Sequence, residues 1–376
     1  MVRDVVVIGS GLAGLTVAHA LKSRGIDALI LEKEADVGAS WARRHPQLTL
    51  NTHRNLSALP GLAYPPGTGA FPKRDAVVAH IKAFRDRHGF EIRHGVEALS
   101  ITREGGGFLV ETTAGGFQTR HLIVATGRDA VPSIPAWPGL EQFQGRVVHA
   151  ADFGDAADYA EHAVLVVGGG NSGFDILNHL SRVKTGEVWL SLRRSPGLLP
   201  KRLGRFAVHR LSPLTVRLPT RMADWLIAMT QRIAFGDLSR HGFPPGRVDA
   251  ATRLARDNIA IAVDDGAINA IKRGQITVVA DVVSFSVSAA LLSDGRSIKP
   301  DVVIAAAGYL PSLKSLLGPL GVIDAKGAPI MPGKPGATAV PGLYLAGMRA
   351  SLTSYFLQVQ GEADAIARAI VSSRGA

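Results

Sequence analysis

The chain has 376 residues and no cysteine. That single absence excludes a disulfide framework, thiolate metal sites and any relay built on a redox pair of thiols. Aromatic residues are few, at 6%. They do not interleave regularly with basic residues, and no nucleic-acid-binding motif is present, so no nucleic-acid partner is expected. No apolar run approaches the roughly 20 residues that span a bilayer, so no stable membrane insertion is expected. The start, Met1-Val2-Arg3-Asp4, leads straight into an apolar run without the charged, apolar and cleavage regions of a signal peptide, and the expectation is a soluble, cytoplasmic protein. None of the 12 histidines falls into H-E-x-x-H or a similar ligand spacing, so no metal is expected. There is no G-x-S-x-G elbow and no nucleophile triad. Acids are outnumbered, 31 against 42 basic residues, giving a formal charge of +11. Such a surplus favours anionic ligands of every kind without choosing among them.

What is present reads as globular: 46% apolar and 19% charged residues, in a chain long enough for two domains. Val5-Val6-Val7-Ile8 is a short β-branched run suited to a buried parallel strand. Gly9 to Gly14 follows, then a helix from Leu15 to Arg24 and a strand from Ala28 to Leu31. The pattern recurs at Val164–Val167, Gly168 to Gly173, a helix from about Phe174 to Val183, and a strand over Val188–Leu192. The expected fold class is α/β, with two Rossmann-like dinucleotide-binding domains, the second inserted into a split first.

Gly9-Ser10-Gly11-Leu12-Ala13-Gly14 fits G-x-G-x-x-G. The first glycine makes the tight turn, the second admits a pyrophosphate to the backbone, and the third packs helix on strand. The pyrophosphate then meets the free N–H groups and positive end of the helix. Glu32 lies 18 residues after Gly14. Its carboxylate accepts from a ribose diol and repels a 2′-phosphate, so this site prefers FAD or NAD(H) to NADP(H). Gly168-Gly169-Gly170-Asn171-Ser172-Gly173 repeats the fingerprint, but Arg193, Arg194 and Ser195 stand where the acid would be. Two guanidiniums and a hydroxyl suit a 2′-phosphate, so this site prefers NADPH.

The stretch from Phe143 through Gly145 and His149 to Phe153 fits F-x-G-x-x-x-H-x-x-x-F/Y, just before the second glycine loop. With it the chain resembles the flavin-dependent monooxygenases that carry two dinucleotide folds. Phe153, where Baeyer–Villiger enzymes usually carry Trp, places it nearer the N- or S-oxygenating enzymes and the plant YUCCA type. Ala125-Thr126-Gly127 and Ala306-Ala307-Gly308 look like that family's two "ATG" strands, the second with Ala in place of Thr. The resemblance implies FAD over 1–150 and 298–376, and NADPH over 155–297 with a basic helical insertion at 196–260. It implies FAD contacts at Gly9, Gly11, Leu12, Ala13, Gly14, Glu32, Lys33, Ser40, Trp41, Asn51, Thr52, Val96, Ala125, Thr126, Gly127 and Gly347. NADPH contacts are implied at Gly168, Gly170, Asn171, Ser172, Gly173, Arg193, Arg194 and Ser195. It also implies that NADPH reduces the flavin, that O2 is captured as a C4a-(hydro)peroxide, and that a small N or S nucleophile or an α-keto acid is oxygenated. A Baeyer–Villiger reaction or an NADPH oxidase releasing H2O2 are the alternatives. The disulfide reductases with paired nucleotide folds are closed off by the missing cysteines. Asn51 is expected to orient the oxygenating group or the nicotinamide amide. Asn171 is expected to reach cofactor or flavin, and Gln358 to lie near the isoalloxazine ring. His149 is expected to order the interdomain linker.

Residues 196–260 are rich in Arg. A solvated basic face or an anionic-substrate site are the readings open to them. Pro219 to Phe235 reads as a helix with Met222, Trp225, Leu226, Met229 and Ile233 along one stripe, expected to be a packing face.

Overall fold

The two β-branched runs become the central strands of two separate sheets in a computed structural model, which describes residues 2–310, 312–330, 333 and 335–374. In the first sheet Arg3–Ile8 pairs in parallel with Leu29–Leu31 on one side and the end of Gly115–Val124 on the other, with Val7 opposite Ile30 and Ile123. Glu91–Arg93 extends one flank and Leu343–Leu345 pairs with Leu122–Val124. The strands Ala98–Glu104 and Gly107–Thr112 add an antiparallel meander. The helix Leu12–Lys22 packs beside the last helix, Tyr355–Arg374, and Leu15, Leu21, Ile366 and Ile370 between them are fully buried. Each such side chain stabilises the fold by about 1.5–3 kcal/mol.

The second sheet is wholly parallel, in the order Ile276–Val279, Val188–Ser191, Val164–Val167, Val302–Ala305, Arg146–His149. Its two last strands correct the domain boundaries expected from sequence. The sequence places Arg146–His149 and Val302–Ala305 in the first domain, expected over 1–150 and 298–376. Both instead complete the sheet of the second. The reason is edge coverage: Val164–Val167 is buried along its whole length, and a buried parallel strand needs a partner on each side. The chain therefore crosses between domains earlier on the way out and later on the way back. The two crossings pair briefly, Val131–Pro132 running antiparallel to Tyr309–Leu310.

The helix Thr220–Phe235 forms as its spacing predicts, but it is turned the other way. Ala223, Ile227, Gln231 and Phe235 face inward, while Met222, Trp225, Leu226, Met229 and Ile233 are exposed. The expected packing stripe is thus an outward surface. The inward face is chosen by its partners: Gln231 Oε1 accepts from the backbone N–H of Leu198 at 2.9 Å.

Candidate active site

The glycine loops are alike in detail. Gly9 has φ +102° and Gly168 φ +116°, conformations that L side chains resist. A Cβ on Gly14 would lie 1.9 Å from the Gly9 carbonyl oxygen, and one on Gly173 would lie 2.0 Å from that of Gly168. A Cβ on Gly11 or Gly170 would meet nothing within 4 Å. Helix and strand therefore press together at the third glycine while the second borders open space. That is the cradle a pyrophosphate fills.

The first loop opens on a cavity of about 350 Å³. Gly9, Gly11, Leu12, Ala13, Glu32, Lys33, Ser40, Trp41, Val96, Ala125, Thr126 and Gly127 all line it. Glu32 Oε2 accepts from both the N–H and the hydroxyl of Ser10, each at 2.7 Å, and Oε1 accepts from the N–H of Glu34. The carboxylate on this cavity thus also fixes the glycine loop. The hydroxyl of Thr126 is buried with no protein partner among the described residues. An empty-shouldered Gly11, an anchored acid and an orphan hydroxyl together fit FAD. Gly347 stands behind the wall, donating its N–H to Glu362 at 2.8 Å.

The second loop opens on a cavity of about 420 Å³ lined by Gly168, Gly170, Arg193 and Arg194, with both arginines exposed. Ala306 and Ala307 line it as well, and a Cβ on Gly168 would strike the Ala306 carbonyl at 2.5 Å. The second "ATG"-like segment therefore packs against the second glycine loop as Ala125-Thr126-Gly127 packs against the first. Ser172, Gly173 and Ser195 lie off the lining. The Ser195 carbonyl accepts from Arg253 at 3.2 Å. Arg253 is a third cation on this cavity; it belongs to the helix Ala250–Asp257 and pairs with Asp249 at 2.8 Å. Nothing in its sequence spacing separates it from its basic neighbours.

Asn51, Thr52 and Asn171 leave the nucleotide clefts and meet on a third cavity of about 180 Å³. Asn51 Nδ2 donates to Asn171 Oδ1 at 3.1 Å, joining a loop of the first domain to the start of a helix in the second. The walls are largely apolar: Leu199, Val208, Leu211, Leu226, Ile227, Ile261 and Leu352 contribute. Two polar groups there were missed by sequence reasoning. Lys201 is buried, bonds Thr49 Oγ1 at 2.7 Å and pairs with Asp265 at 3.3 Å; burial lowers its pKa against the pull of Asp265. His209 has its pKa pushed down to about 4, chiefly by burial, so its ring is neutral at pH 7. Gln358 lines none of these three cavities; its Nε2 donates to the Arg349 carbonyl and to Glu362.

Further hydrogen bonds order the junction between the domains. His149 accepts from the N–H of Ala151 through Nδ1, so its Nε2–H donates to the Gly308 carbonyl at 2.9 Å. His45, in the first domain, bonds Asp175 on the second-domain helix at 2.7 Å, and His179 lies 3.7 Å from the same carboxylate. Burial would raise Asp175, but the hydrogen bonds from His179 and His45 outweigh it and bring its pKa down to about 2. The ligand atoms of these three side chains all lie within 4.8 Å of one another, close enough to share a metal ion. Because His45 comes from a distant segment, local ligand spacing does not reveal the group.

Fold and clefts define an α/β protein with two dinucleotide-binding domains. The chain belongs to the flavin-binding monooxygenase-like family, whose model matches residues 111–320. A model described as pyridine nucleotide-disulphide oxidoreductase matches residues 6–199. It is similar to the indole-3-pyruvate monooxygenase YUCCA1 of Oryza sativa subsp. japonica, 27% identical over 328 residues, covering 85% of this chain and 80% of the relative. An uncharacterized CzcO-like oxidoreductase of Geobacillus kaustophilus is 28% identical over 351 residues, covering 92% and 90%. Among solved structures, a flavin-containing monooxygenase from Stenotrophomonas maltophilia superposes with a TM-score of 0.78 at 23% identity over the whole of both chains. A cyclohexanone monooxygenase from Rhodococcus sp. Phi1 bound to NADP+ gives 0.72 at 16%, covering 100% of this chain and 85% of that one. The chain is thus a flavin-dependent monooxygenase, an enzyme class that uses FAD, NADPH and O2. No described helix is long and apolar enough to cross a membrane.

Proposed function

We propose that this enzyme oxygenates a small α-keto acid with an apolar body, using NADPH held at Arg193 and Arg194 and FAD held at the first glycine loop. The observation that carries the reading is the third cavity. It joins apolar walls to one buried cation, Lys201, at the point where Asn51 and Asn171 meet. An apolar body gains from leaving water, and a carboxylate gains most from a cation in a low-dielectric site. An amine would meet Lys201 with like charge. The name of the rice relative, an indole-3-pyruvate monooxygenase, supports an α-keto acid.

FAD, when bound, supplies the transfer of reducing equivalents from NADPH and the activation of O2. The protein's own residues bind, orient and exclude. Arg193 and Arg194 grip the 2′-phosphate. Asn51 and Asn171, fixed by each other, present amide dipoles to the reacting group. His209, being neutral, offers no ready proton at the cavity. Apolar walls keep out the water that would divert activated oxygen to H2O2.

The test begins with anaerobic mixing with NADPH and NADH in parallel, following the loss of flavin absorbance. Air and a panel of aryl and alkyl α-keto acids, amines and sulfides follow. The expected result is faster reduction by NADPH and one decarboxylated acid formed per NADPH consumed. Stoichiometric H2O2 with every α-keto acid tried would end this proposal.

A further inference from the structure

The third cavity is bordered by the segment Val208–Thr215 and by the helix Thr220–Phe235: Leu211, Thr215, Leu226 and Thr230 line it. The outer surface of the same consecutive elements is apolar. Leu214 and Trp225 are 64% exposed and Ile233 73%. Leu211, Val216, Met222 and Met229 are exposed beside them. Single exposed apolar residues are ordinary, but a run of them along two successive elements marks a contact surface.

The charge of this surface is one-sided. From Pro196 to Ala223 the sequence carries Lys201, Arg202, Arg205, Arg210, Arg217 and Arg221, and no Asp or Glu. Asp224, the first acid, is engaged elsewhere: it accepts from the N–H of Ala251 at 2.7 Å and from the hydroxyl of Thr252 at 2.6 Å. Arg202 pairs with Asp265 at 3.7 Å. Among the described residues, Arg205, Arg210, Arg217 and Arg221 have no carboxylate within 4.0 Å.

We propose that this face docks on the surface of an anionic membrane. Trp225, Ile233 and Leu214 enter the headgroup boundary, while Arg210, Arg217 and Arg221 meet lipid phosphates. An amphipathic helix with Arg on its polar flank and Trp, Met and Ile on the other lies in such an interface. Charge complementarity selects the occupant. A second copy would set arginines against arginines, and a neutral apolar partner would leave them unmatched. Because no described helix is long and apolar enough to cross a bilayer, the contact is interfacial. It places the cavity's border against lipid, where an apolar substrate concentrates. The docking itself does not depend on the α-keto-acid reading.

The experiment is flotation of the full-length, FAD-loaded protein with vesicles of phosphatidylcholine alone and of phosphatidylcholine mixed with phosphatidylglycerol. Binding to the anionic vesicles alone is expected, falling as salt is raised toward about 1 M, where screening shortens to roughly 3 Å. Arg217→Gln with Arg221→Gln should weaken it about fivefold per charge. Trp225→Ser with Ile233→Ser should weaken it about tenfold or more. Neither Trp225 nor Ile233 lines the cavity, so NADPH oxidation with a water-soluble substrate should be unchanged, and melting temperature should hold because both are exposed. Three results would overturn the proposal: no flotation with anionic vesicles, flotation that the Trp225/Ile233 variant leaves intact, or a concentration-dependent dimer that this variant abolishes. The last would assign the face to a second copy of the chain. Because vesicle binding and turnover are read separately, failure here leaves the oxygenation reading standing.

Discussion

Gly11 and Gly14 are three residues apart in one loop and answer to different constraints. An alanine at 14 would drive Cβ to 1.9 Å from the Gly9 carbonyl, whereas one at 11 has nothing of the protein within 4 Å. Gly14→Ala should therefore fold poorly. Gly11→Ala should keep its melting temperature without cofactor and lose FAD affinity by tenfold or more, because the new methyl occupies the pyrophosphate's place. Equal stability of the two apoproteins, read by thermal denaturation, would contradict this division. In the second site, Arg193→Ala with Arg194→Ala should raise the KM for NADPH by roughly 10- to 100-fold, the scale of one or two charged hydrogen bonds. The KM for NADH should barely move. If the two cofactors responded alike, the arginines would not be reading the 2′-phosphate. Residues of this kind are legible in sequence because strand, loop and helix fix their place locally. Arg253 and Lys201 are not, because they reach their cavities from other elements and look like any basic residue until the chain is folded.

At the scale of elements, spacing predicts that a helix forms more reliably than it predicts what covers it. The stripe from Met222 to Ile233 has helical period, and a helix is there, yet the protein buries the neighbouring face with Gln231 in it. Burial is decided by a tertiary partner, here the backbone N–H of Leu198, that no local pattern encodes. The helix Arg74–His88 gives a second case: a polar residue, His80, is 4% exposed and accepts from the N–H of Leu59 at 3.0 Å. Burial lowers its pKa to about 4, and His209 is lowered alike. Unfolded, each takes a proton near 6.5. Between those values the unfolded chain binds more protons, so stability rises with pH across the window. This histidine contribution is lost as pH falls from about 6.5 to about 4 and flattens below. Urea midpoints at pH 7.5 and 4.5 should show the loss, and His80→Gln should reduce the difference. A variant with the full wild-type slope would remove His80 from the account.

For the whole molecule, the doubly nucleotide-binding plan is legible from two glycine loops, but the division of strands between domains is not. A strand that ends in Ala-Thr-Gly or Ala-Ala-Gly reads the same in either sheet, and only pairing places Val302–Ala305 beside Val164–Val167. The cavity between the domains depends on their register, and Asp175 with His45 is one of the links that sets it. Asp175→Asn removes the charge from those hydrogen bonds. It should lower the melting temperature by several degrees and raise the H2O2 formed per NADPH, since a looser junction admits water beside Asn51 and Asn171. A lower melting temperature with coupling unchanged would confine Asp175 to a structural role.

The paired crossings, Val131–Pro132 against Tyr309–Leu310, make the joint between the domains a two-ply ribbon. A single proteolytic cut in the outgoing ply, near 133–136, would leave the second domain tethered by the returning one. The first sheet, to which both fragments contribute strands, would keep them together. A nicked enzyme should therefore run as two bands on a denaturing gel and as one particle on a sizing column.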